Sequence, residues 1–303
     1  MALTNAEWAN FRKDVDLVVD AVGQCLVLLD GNFEPVCELP PVVSLSAGDT
    51  SLEAAETSLE VPATTPKGIT HHIVEALIDK GFGKLDESSK LTVEDGRSWF
   101  LMVQRRGGEA GRIVSKITFP KLATEGYEVT GLRLEAASLL SLLEFWPCPS
   151  VPTIWGHEPV REWMEDAAGP YSRPYKYAPI EVATVARGYT AFGPAEEIIR
   201  MMVQESLDAG NRAQGFTRPH MVVDFTPTGR VSPEVAIRRE DRTIWETISE
   251  PARLAGVDVD VDLWLPGDKP LTVKYESGGE VRTTWPKDQP VLVCRVKQLE
   301  GVS

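Results

Sequence analysis

Residues 24–39 read QCLVLLDGNFEPVCEL and predict a β-hairpin near the start of the chain. Residues 24–29 are an apolar run of strand length, and residues 33–39 form a second strand-like run. Asp30-Gly31-Asn32 lies between them, and Gly and Asn tolerate the positive φ angles of tight turns. Pro40-Pro41 ends the second run. The stretch therefore predicts two paired antiparallel strands.

The residues around this hairpin predict a mostly β first half. Asn5 can cap a short opening helix, in which Trp8, Phe11 and Val15 recur at helical spacing. Residues 73–78 fit either a short helix or a strand. The remaining strands are expected at 58–61, 99–104, 113–119 and 127–134, the second and third joined by the turn Gly107-Gly108-Glu109. Turn signals at this spacing are typical of a β-barrel or sandwich.

The pattern changes after residue 134. Apolar residues recur every three or four positions over residues 135–146 and predict a Leu-rich helix that Pro147 stops. Residues 147–180 contain seven prolines with Tyr171, Tyr175 and Tyr177 among them. This composition predicts an extended crossing segment, with a short helix considered at 158–167.

The last part of the chain mixes helices and strands. One helix should open at Gly193-Pro194 and end at Gly210-Asn211, and a second should cover 241–256 with Gly256 as its C-cap. Strands are expected at 183–189, 221–225 and 257–265, followed by an antiparallel run at 271–275, 280–285 and 291–299.

These elements predict an α+β, mostly β protein with two β-barrel-like parts and helical insertions. We expect an N-terminal β-rich domain at 1–146, closed by the Leu-rich helix, and a Pro-rich crossing segment at 147–180. A C-terminal α+β domain should follow at 181–303. The chain has 303 residues, of which 43% are hydrophobic, which is enough for a sizeable core.

The charge and composition of the chain argue against nucleic acid and membranes as partners. A formal net charge of -14 disfavours duplex nucleic acid and anionic membranes, and we expect neither specific nucleic-acid binding nor a membrane span. The start MALTNAEWANF has no apolar core of a signal peptide, which predicts synthesis in a reducing cytoplasm. Free thiols are then expected at the four cysteines, although a bond between Cys25 and Cys37 across the hairpin stays open.

Several near-matches to metal motifs lack necessary residues. His157-Glu158 begins like a zinc-protease motif, but Arg161 stands where the second histidine is needed. Asp258, Asp260 and Asp262 begin like a calcium loop, but the sixth and twelfth positions hold Leu263 and Lys269. Their alternation with valine indicates a strand with outward carboxylates, and whether these hold a weak cation stays open.

The other candidate motifs are also incomplete. His71-His72 would need Cys25 and Cys37 to complete a metal site, and adjacent residues point apart. Gly81-Phe82-Gly83-Lys84 and Gly107–Gly111 match no phosphate-binding pattern, and no nucleophile elbow occurs. We therefore expect no enzyme, and no catalytic, cofactor-binding or metal-binding residues.

One alternative function stays open. The chain has 45 acidic residues, so a glycosidase with two catalytic carboxylates is compatible with the sequence. Trp155 and Trp163, beside the three tyrosines of the Pro-rich segment, would suit a sugar-binding platform.

Three stretches resemble one known family. They are residues 26–36 (LVLLDGNFEPV), residues 137–143 (ASLLSLL) with Trp146-Pro147, and residues 192–200 (FGPAEEIIR). In type and order these segments resemble the minor tail or baseplate-hub proteins of long-tailed actinobacteriophages. The resemblance covers most of the chain.

The resemblance implies a structural role. It implies a tail-hub-like fold and a homotrimer, in which two barrel-like domains per chain imitate a six-fold ring. Such a trimer adapts the six-fold tail tube or distal tail ring to a three-fold tip. The implied partners are the distal tail or tail tube ring and other tail-tip and tape-measure proteins, and the implied location is the virion. An acidic lumen would let DNA slide without sticking.

Overall fold

The computed structural model describes residues 3–48, 52–79, 84–85, 91–92, 98–125, 128–153, 161–177 and 190–300. The fold is mostly β, with one large antiparallel sheet and several small sheets, which confirms the predicted class at that level. Contacts divide the chain into two units that are discontinuous in sequence. The first unit contains Met1–Leu139, Asp262–Lys269 and Pro286–Pro290, and the second contains Leu140–Val261, Pro270–Trp285 and Val291–Ser303.

The first unit is built on a seven-stranded antiparallel sheet in the order β2-β1-β7-β8-β9-β4-β3. Strands β5 and β6 form a separate two-stranded antiparallel sheet. The strands are β1 (Gln24–Leu29), β2 (Pro35–Glu38), β3 (Ser44–Ala47), β4 (Glu56–Pro62), β5 (Lys84–Leu85), β6 (Leu91–Thr92), β7 (Phe100–Arg105), β8 (Arg112–Glu125) and β9 (Glu128–Ser138). The pairings of β1 with β2 and of β7 with β8 confirm the two predicted hairpins.

The turn of the first hairpin differs from the expectation in one residue. Its Asp30 side chain accepts hydrogen bonds from the backbone N–H groups of Asn32 and Glu34 at 2.8 and 2.9 Å. The positive φ, 65°, falls on Phe33 rather than on Gly31 or Asn32. The ring of Phe33 is buried against Phe100, with centroids 4.9 Å apart. Burial of this ring offsets the strain of a left-handed conformation at a non-glycine residue.

Strand β1 is apolar from Cys25 to Leu29 because both of its faces are covered there. Leu26 and Leu28 belong to the main core cluster of the unit, together with Leu101 of β7. On the opposite face, Cys25, Val27 and Leu29 are also buried. Helix α1 (Asn5–Val22) contacts β1 and β7 and buries its own apolar stripe.

Helix α1 begins one residue earlier than Asn5 would place its cap. Thr4 is the N-cap, and its Oγ1 accepts from the N–H of Glu7 while the Glu7 carboxylate accepts from the N–H of Thr4. This reciprocal pair is a capping box, so Asn5 lies inside the helix and the predicted cap is wrong. Gly23, at φ 91°, ends the helix.

Residues 73–78, left open between helix and strand, are helical. Helix α2 (His72–Val74) continues into a π-helical turn, Glu75–Asp79. Ile73 and Leu77 are buried in the core cluster. This short element therefore places two large apolar side chains against the sheet.

The predicted Leu-rich helix at 135–146 is wrong. Strand β9 continues to Ser138, and only Leu139–Glu144 turn helically, as a 3-10 helix. Ala136 pairs with Thr57 of β4 and with Ile117 of β8, so ladders on both sides hold this stretch extended. Sheet pairing overrides the helical spacing of its apolar residues.

The second unit contains two long helices, α3 (Ala195–Gln214) and α4 (Ile244–Ala255). Its strands are β10 (Pro147–Cys148), β11 (Arg161–Asp166), β12 (Gly169–Tyr177), β13 (Thr190–Pro194), β14 (Met221–Asp224), β15 (Glu234–Arg238), β16 (Arg242–Thr243), β17 (Val257–Trp264), β18 (Tyr275–Ser277), β19 (Glu280–Arg282) and β20 (Val291–Gln298). The last three residues of β17 belong to the first unit. The pairs are β10–β16, β11–β12, β13–β15 and β18–β19, and β20 lies between β14 and β17. The predicted strand at 183–189 lies outside the described residues.

The strand order corrects the predicted antiparallel ending. Strands β18 and β19 do form an antiparallel hairpin. Strand β20, however, runs parallel to β14, with Val222 opposite Val293. Residues Val291–Cys294 are all buried, as expected for a central strand covered on both faces.

Helix α3 continues past its predicted end. It runs to Gln214 and is capped by Gly215 at φ 70°. Gly210 lies inside the helix, where a Cβ atom would stand 2.7 Å from Nε1 of Trp146. The glycine is therefore needed for close packing of the indole ring rather than for a helix end. Helix α4 confirms the second predicted helix, with a capping box at Thr243 and Gly256 as C-cap.

Candidate functional site

A β-hairpin in the second unit presents apolar side chains to solvent. Its strands β11 and β12 pair antiparallel, and Ala168 N–H donates to Asp166 Oδ1 at 2.8 Å in the turn between them. This pairing makes the helix considered at 158–167 wrong for residues 161–166, and residues 158–160 lie outside the described residues. Prolines 170 and 174 are compatible with strand β12 because both strands are edges of a two-stranded sheet.

This hairpin exposes three large apolar side chains. Trp163 lies opposite Tyr175, and Tyr171 packs edge-on against Tyr175 with ring centroids 4.6 Å apart. Trp163, Met164 and Tyr175 are 52%, 58% and 62% exposed. The register of the two strands shifts between Trp163 and Glu165, so Met164 lies at an irregular step of β11. An isolated two-stranded hairpin is marginally stable in water, and exposed apolar clusters mark interaction surfaces.

The hairpin is also electrically neutral within an acidic chain. Its three acidic residues are matched by three basic ones: Glu162, Glu165 and Asp166 against Arg161, Arg173 and Lys176. Lys176 Nζ lies 3.0 Å from Glu162 Oε1. Copies of a chain with net charge -14 repel each other on average, and this repulsion is smallest where charge is locally balanced.

The β8–β9 hairpin of the first unit also exposes apolar side chains. Phe119, Leu122 and Val129 are exposed there. Lys121 lies 5.4 Å from the ring centroid of Phe119 and 2.6 Å from Glu135 Oε1. The exposed ring of Phe119 therefore lies beside a balanced charge pair.

A cavity of about 170 Å³ lies at the C-terminal end of α3, inside the second unit. The side chains of Asp208 and Asn211 line it together with the residues of the β18–β19 turn. Asp208 Oδ1 accepts from Gln204 Nε2 at 2.9 Å and from Glu276 N at 3.0 Å. Arg212 Nε donates to Glu276 Oε1 at 3.3 Å.

The Asp208 carboxyl group titrates abnormally. Burial raises its pKa to about 6, and the hydrogen bonds from Glu276 N–H and Gln204 offset only part of that effect. The cavity thus holds two carboxylates, one of them with a raised pKa, as a glycosidase site does. Its volume is well below the roughly 300–1,000 Å³ of usual ligand pockets, and Arg212 already contacts Glu276.

A second buried carboxylate, Asp268, lies within the first unit and has charged partners. Arg112 binds it through two nitrogens, at 2.6 and 3.2 Å, and Arg12 Nη1 reaches it at 2.5 Å. The backbone N–H of Leu265 donates to Asp268 Oδ2 at 2.9 Å. Burial alone would raise the pKa of Asp268, but the Arg112 hydrogen bonds and both arginine charges outweigh it, so the pKa is lowered.

The structure places the predicted metal motifs as follows. Asp258, Asp260 and Asp262 alternate with buried valines along β17, which confirms the strand interpretation. His157 and Glu158 lie outside the described residues, and Arg161 begins β11. Within the described ranges, no group of three or more His, Cys, Asp or Glu side chains is arranged to hold a metal ion.

The histidine doublet and the cysteines lie apart. His71 is the N-cap of α2, and His72 Nδ1 lies 3.3 Å from Glu75 Oε2. Cys37 pairs in register with Leu28, so Cys25, three residues along β1, faces the other side of the sheet. Both thiols are free, and burial raises the pKa of each to about 11.

Of the two glycine-rich stretches considered for phosphate binding, the structure describes the one at residues 107–111. Gly108–Gly111 form a 3-10 turn between β7 and β8. A Cβ at Gly111 would stand 2.5 Å from the backbone oxygens of Arg105 and Arg106, so this glycine is needed for the turn itself. Residues 81–83 and Trp155 lie outside the described residues.

Sequence reasoning missed both the exposed hairpin and the cavity. Ala167-Ala168-Gly169 after an acidic residue was the available signal for the hairpin turn, hidden by the surrounding prolines. Asp208, Asn211 and Arg212 lie on one side of α3, but the helix was predicted to end at Gly210-Asn211, so this grouping was not visible in the sequence.

The sequence was compared with family models and with curated proteins. No family model and no curated protein matches the sequence. Across the described part of the chain, none of the helices is both long and apolar enough to span a membrane.

Proposed function

We propose that the protein is a structural subunit of a phage tail tip, a trimeric hub that adapts the six-fold tail tube or distal tail ring to a three-fold tip. The observation that carries this proposal is the β11–β12 hairpin, on which Trp163, Met164 and Tyr175 are all exposed. A neighbouring copy of the chain would cover them. Covering them would both remove apolar surface from water and stabilise the hairpin.

Three further features support an assembly role. The balanced charge of residues 161–177 reduces repulsion between acidic copies. The exposed ring of Phe119, beside the Lys121–Glu135 ion pair, offers a second surface, suited to a different neighbour such as the ring protein. Three sequence segments resemble tail-hub proteins, and this resemblance also implies a protein that assembles through exposed surfaces.

The proposal includes the finer features that the resemblance implies. The seven-stranded sheet of the first unit is the element that corresponds to one barrel-like part. The protein has no catalytic role in this proposal, acts in the virion, and contacts the tape-measure and other tail-tip proteins. Its acidic residues then line a lumen from which DNA is repelled.

Mass measurement of the purified full chain tests the proposal. Light scattering should give three times the 33.3-kDa mass of one chain. The double variant Trp163→Ser/Tyr175→Ser should shift the protein to monomer, with circular dichroism unchanged. Leu254→Ser removes an even more exposed apolar side chain from α4 and should leave the trimer intact.

A stable wild-type monomer that is also absent from purified virions would refute the hub. The carbohydrate alternative uses the same Trp163–Tyr175 face, since sugars stack on exposed aromatic rings. It predicts sugar binding by a monomer that the same double variant abolishes, so the two functions separate in one set of proteins.

A further inference from the structure

A larger cavity of the second unit lies at the N-terminal end of α3. Its volume is about 560 Å³, within the roughly 300–1,000 Å³ of usual ligand pockets. Pro194, Phe225, Pro227 and Val231 give it apolar walls. Val231 is 89% exposed, so part of this apolar lining faces solvent. The cavity therefore has the size and the walls to hold a short apolar segment.

A buried arginine lines the same cavity with part of its hydrogen-bonding capacity unused. Arg200 is only 5% exposed. Its Nε donates to the carbonyl of Val296 at 3.1 Å, and its Nη2 donates to that carbonyl at 2.6 Å, to the carbonyl of Thr226 at 2.8 Å and to Glu196 Oε1. Among the described residues, Nη1 makes no hydrogen bond, and it is not fully enclosed by protein. Its two N–H groups can therefore meet an acceptor in the cavity.

The charges around the cavity favour an uncharged acceptor. Glu196 neutralises the buried guanidinium, and its two carboxylate oxygens also accept from Thr228, at 3.1 and 2.8 Å. Arg230 is paired with Glu300 at 2.6 Å, and Glu197 adds a further carboxylate to the lining. An incoming carboxylate would therefore be repelled, whereas a neutral carbonyl oxygen would not.

The apolar surface continues beyond the cavity along β13. Phe192 is two residues before Pro194 in a strand of regular register, so both lie on the same face. Phe192 is 67% exposed. An occupant that extends out of the cavity over this ring would cover more apolar surface than a small molecule held inside it. This continuity favours a segment of polypeptide.

We propose that this cavity binds an uncharged peptide segment, with Arg200 Nη1 donating to a backbone carbonyl and the apolar walls covering a neighbouring aliphatic side chain. The proposal is independent of the tail-tip function. Binding would give the unused donors of a buried guanidinium an acceptor, as buried polar groups in native proteins almost always have.

Titration with N-acetyl-valine-N-methylamide tests the site on the full-length protein. The Nε–H signal of Arg200 in a ¹H–¹⁵N spectrum, assigned through its connectivity to the Arg200 backbone, should shift saturably. The Kd should be about 1 mM, as expected for a ligand of about twelve non-hydrogen atoms. N-acetyl-valine has the same side chain but a free carboxylate, and it should bind about tenfold more weakly because Glu196 and Glu197 line the cavity.

A free amide distinguishes the peptide from a smaller occupant. N-methylacetamide offers the carbonyl without the aliphatic side chain, so it should bind about tenfold more weakly than the blocked valine. Equal binding of the two would assign the cavity to small amides and would overturn the peptide assignment.

Two variants test the residues of the cavity. Val231→Asp replaces an exposed apolar wall residue by a charge, so it should fold and should weaken binding of the blocked valine about tenfold. Val281→Asp changes a similarly exposed valine of β19 outside the cavity and should leave the Kd unchanged. Arg200→Lys keeps the positive charge but lacks Nη1, and it should abolish the saturable shift of the Gly229 backbone amide in the cavity lining.

Three results would overturn the proposal. One is the absence of any saturable shift of the Arg200 Nε–H signal with blocked valine at about ten times the expected Kd. Another is equal binding of N-acetyl-valine, since the lining carboxylates should repel it. The third is an unchanged Kd in Val231→Asp, which decides the question even if Arg200→Lys does not fold.

Discussion

Asp268 in the first unit and Asp208 in the second are both buried aspartates, yet their pKa values move in opposite directions. Arg112 and Arg12 donate to Asp268, and its pKa is lowered. Asp208 receives neutral donors, and burial raises its pKa to about 6. Burial is the largest contribution at both sites, so the partners decide the sign. A buried carboxylate that accepts hydrogen bonds from arginines stabilises the fold when it is ionised, whereas one that accepts them only from neutral donors destabilises it.

Replacement of Arg112 should have the largest effect on this comparison. Arg112→Met leaves the Asp268 carboxylate buried with Arg12 alone, and we expect a loss of about 3 kcal/mol in the free energy of unfolding at pH 7, measured by urea denaturation. The loss should shrink as the pH falls below about 4, because protonation removes the buried charge. A pH-independent loss would show that Arg112 acts through packing rather than charge.

The sign follows from the lowered pKa of Asp268. A carboxyl group with a folded pKa below its unfolded value, about 3.9, stabilises the protein at any pH above that value. This stabilisation disappears as the pH falls through the folded pKa. The free energy of unfolding of the wild type should therefore fall in acid. That of Arg112→Met should fall less, because this variant already lacks the stabilisation at neutral pH.

Replacement of Asp208 should raise the free energy of unfolding, whereas replacement of Arg112 should lower it. Asp208→Asn keeps the acceptor for Gln204 and for Glu276 N–H and removes the buried charge, so we expect stabilisation by about 2 kcal/mol at pH 8. Because the folded pKa of Asp208 is raised to about 6, the wild type has its full stability below about pH 4 and loses it as the pH rises through 6. The gain should therefore vanish near pH 4. Destabilisation at pH 8 would contradict this account of Asp208.

Replacement of Arg12 should have the smallest effect. Its side chain is 30% exposed, whereas that of Arg112 is 6% exposed, so solvent screens its interaction with Asp268. Arg12→Ala should lower the free energy of unfolding by about 1 kcal/mol at pH 7, in the same urea assay. A loss equal to that of Arg112→Met would show that the two arginines act as one unit.

Much of the fold was predictable because local patterns and tertiary structure agreed. The apolar run of β1, the turn at Asp30 and the glycine cap of α4 each follow from short-range chemistry. Predictions were wrong where residues distant in sequence determined the local structure. Sheet pairing extended β9 through Ala136, and the Trp146 ring made Gly210 a packing residue rather than a helix end.

The candidate site was less predictable than the fold. Pro170 and Pro174 concealed the β11–β12 hairpin, although Trp163 and Tyr175 were noticed as aromatic residues. Nothing near Asp208 in the sequence indicates that Glu276, 68 residues away, donates its N–H to that carboxylate.

The sequence by itself determined that the chain is acidic and mostly β and that its metal and catalytic motifs are incomplete, because these are properties of composition and spacing. Only the tertiary structure decided that β20 runs parallel to β14 and which aspartate receives arginines. The physical reason is the same in both cases. Strand direction and the charge around a buried carboxylate depend on residues that are far apart in the chain and meet only in the folded protein.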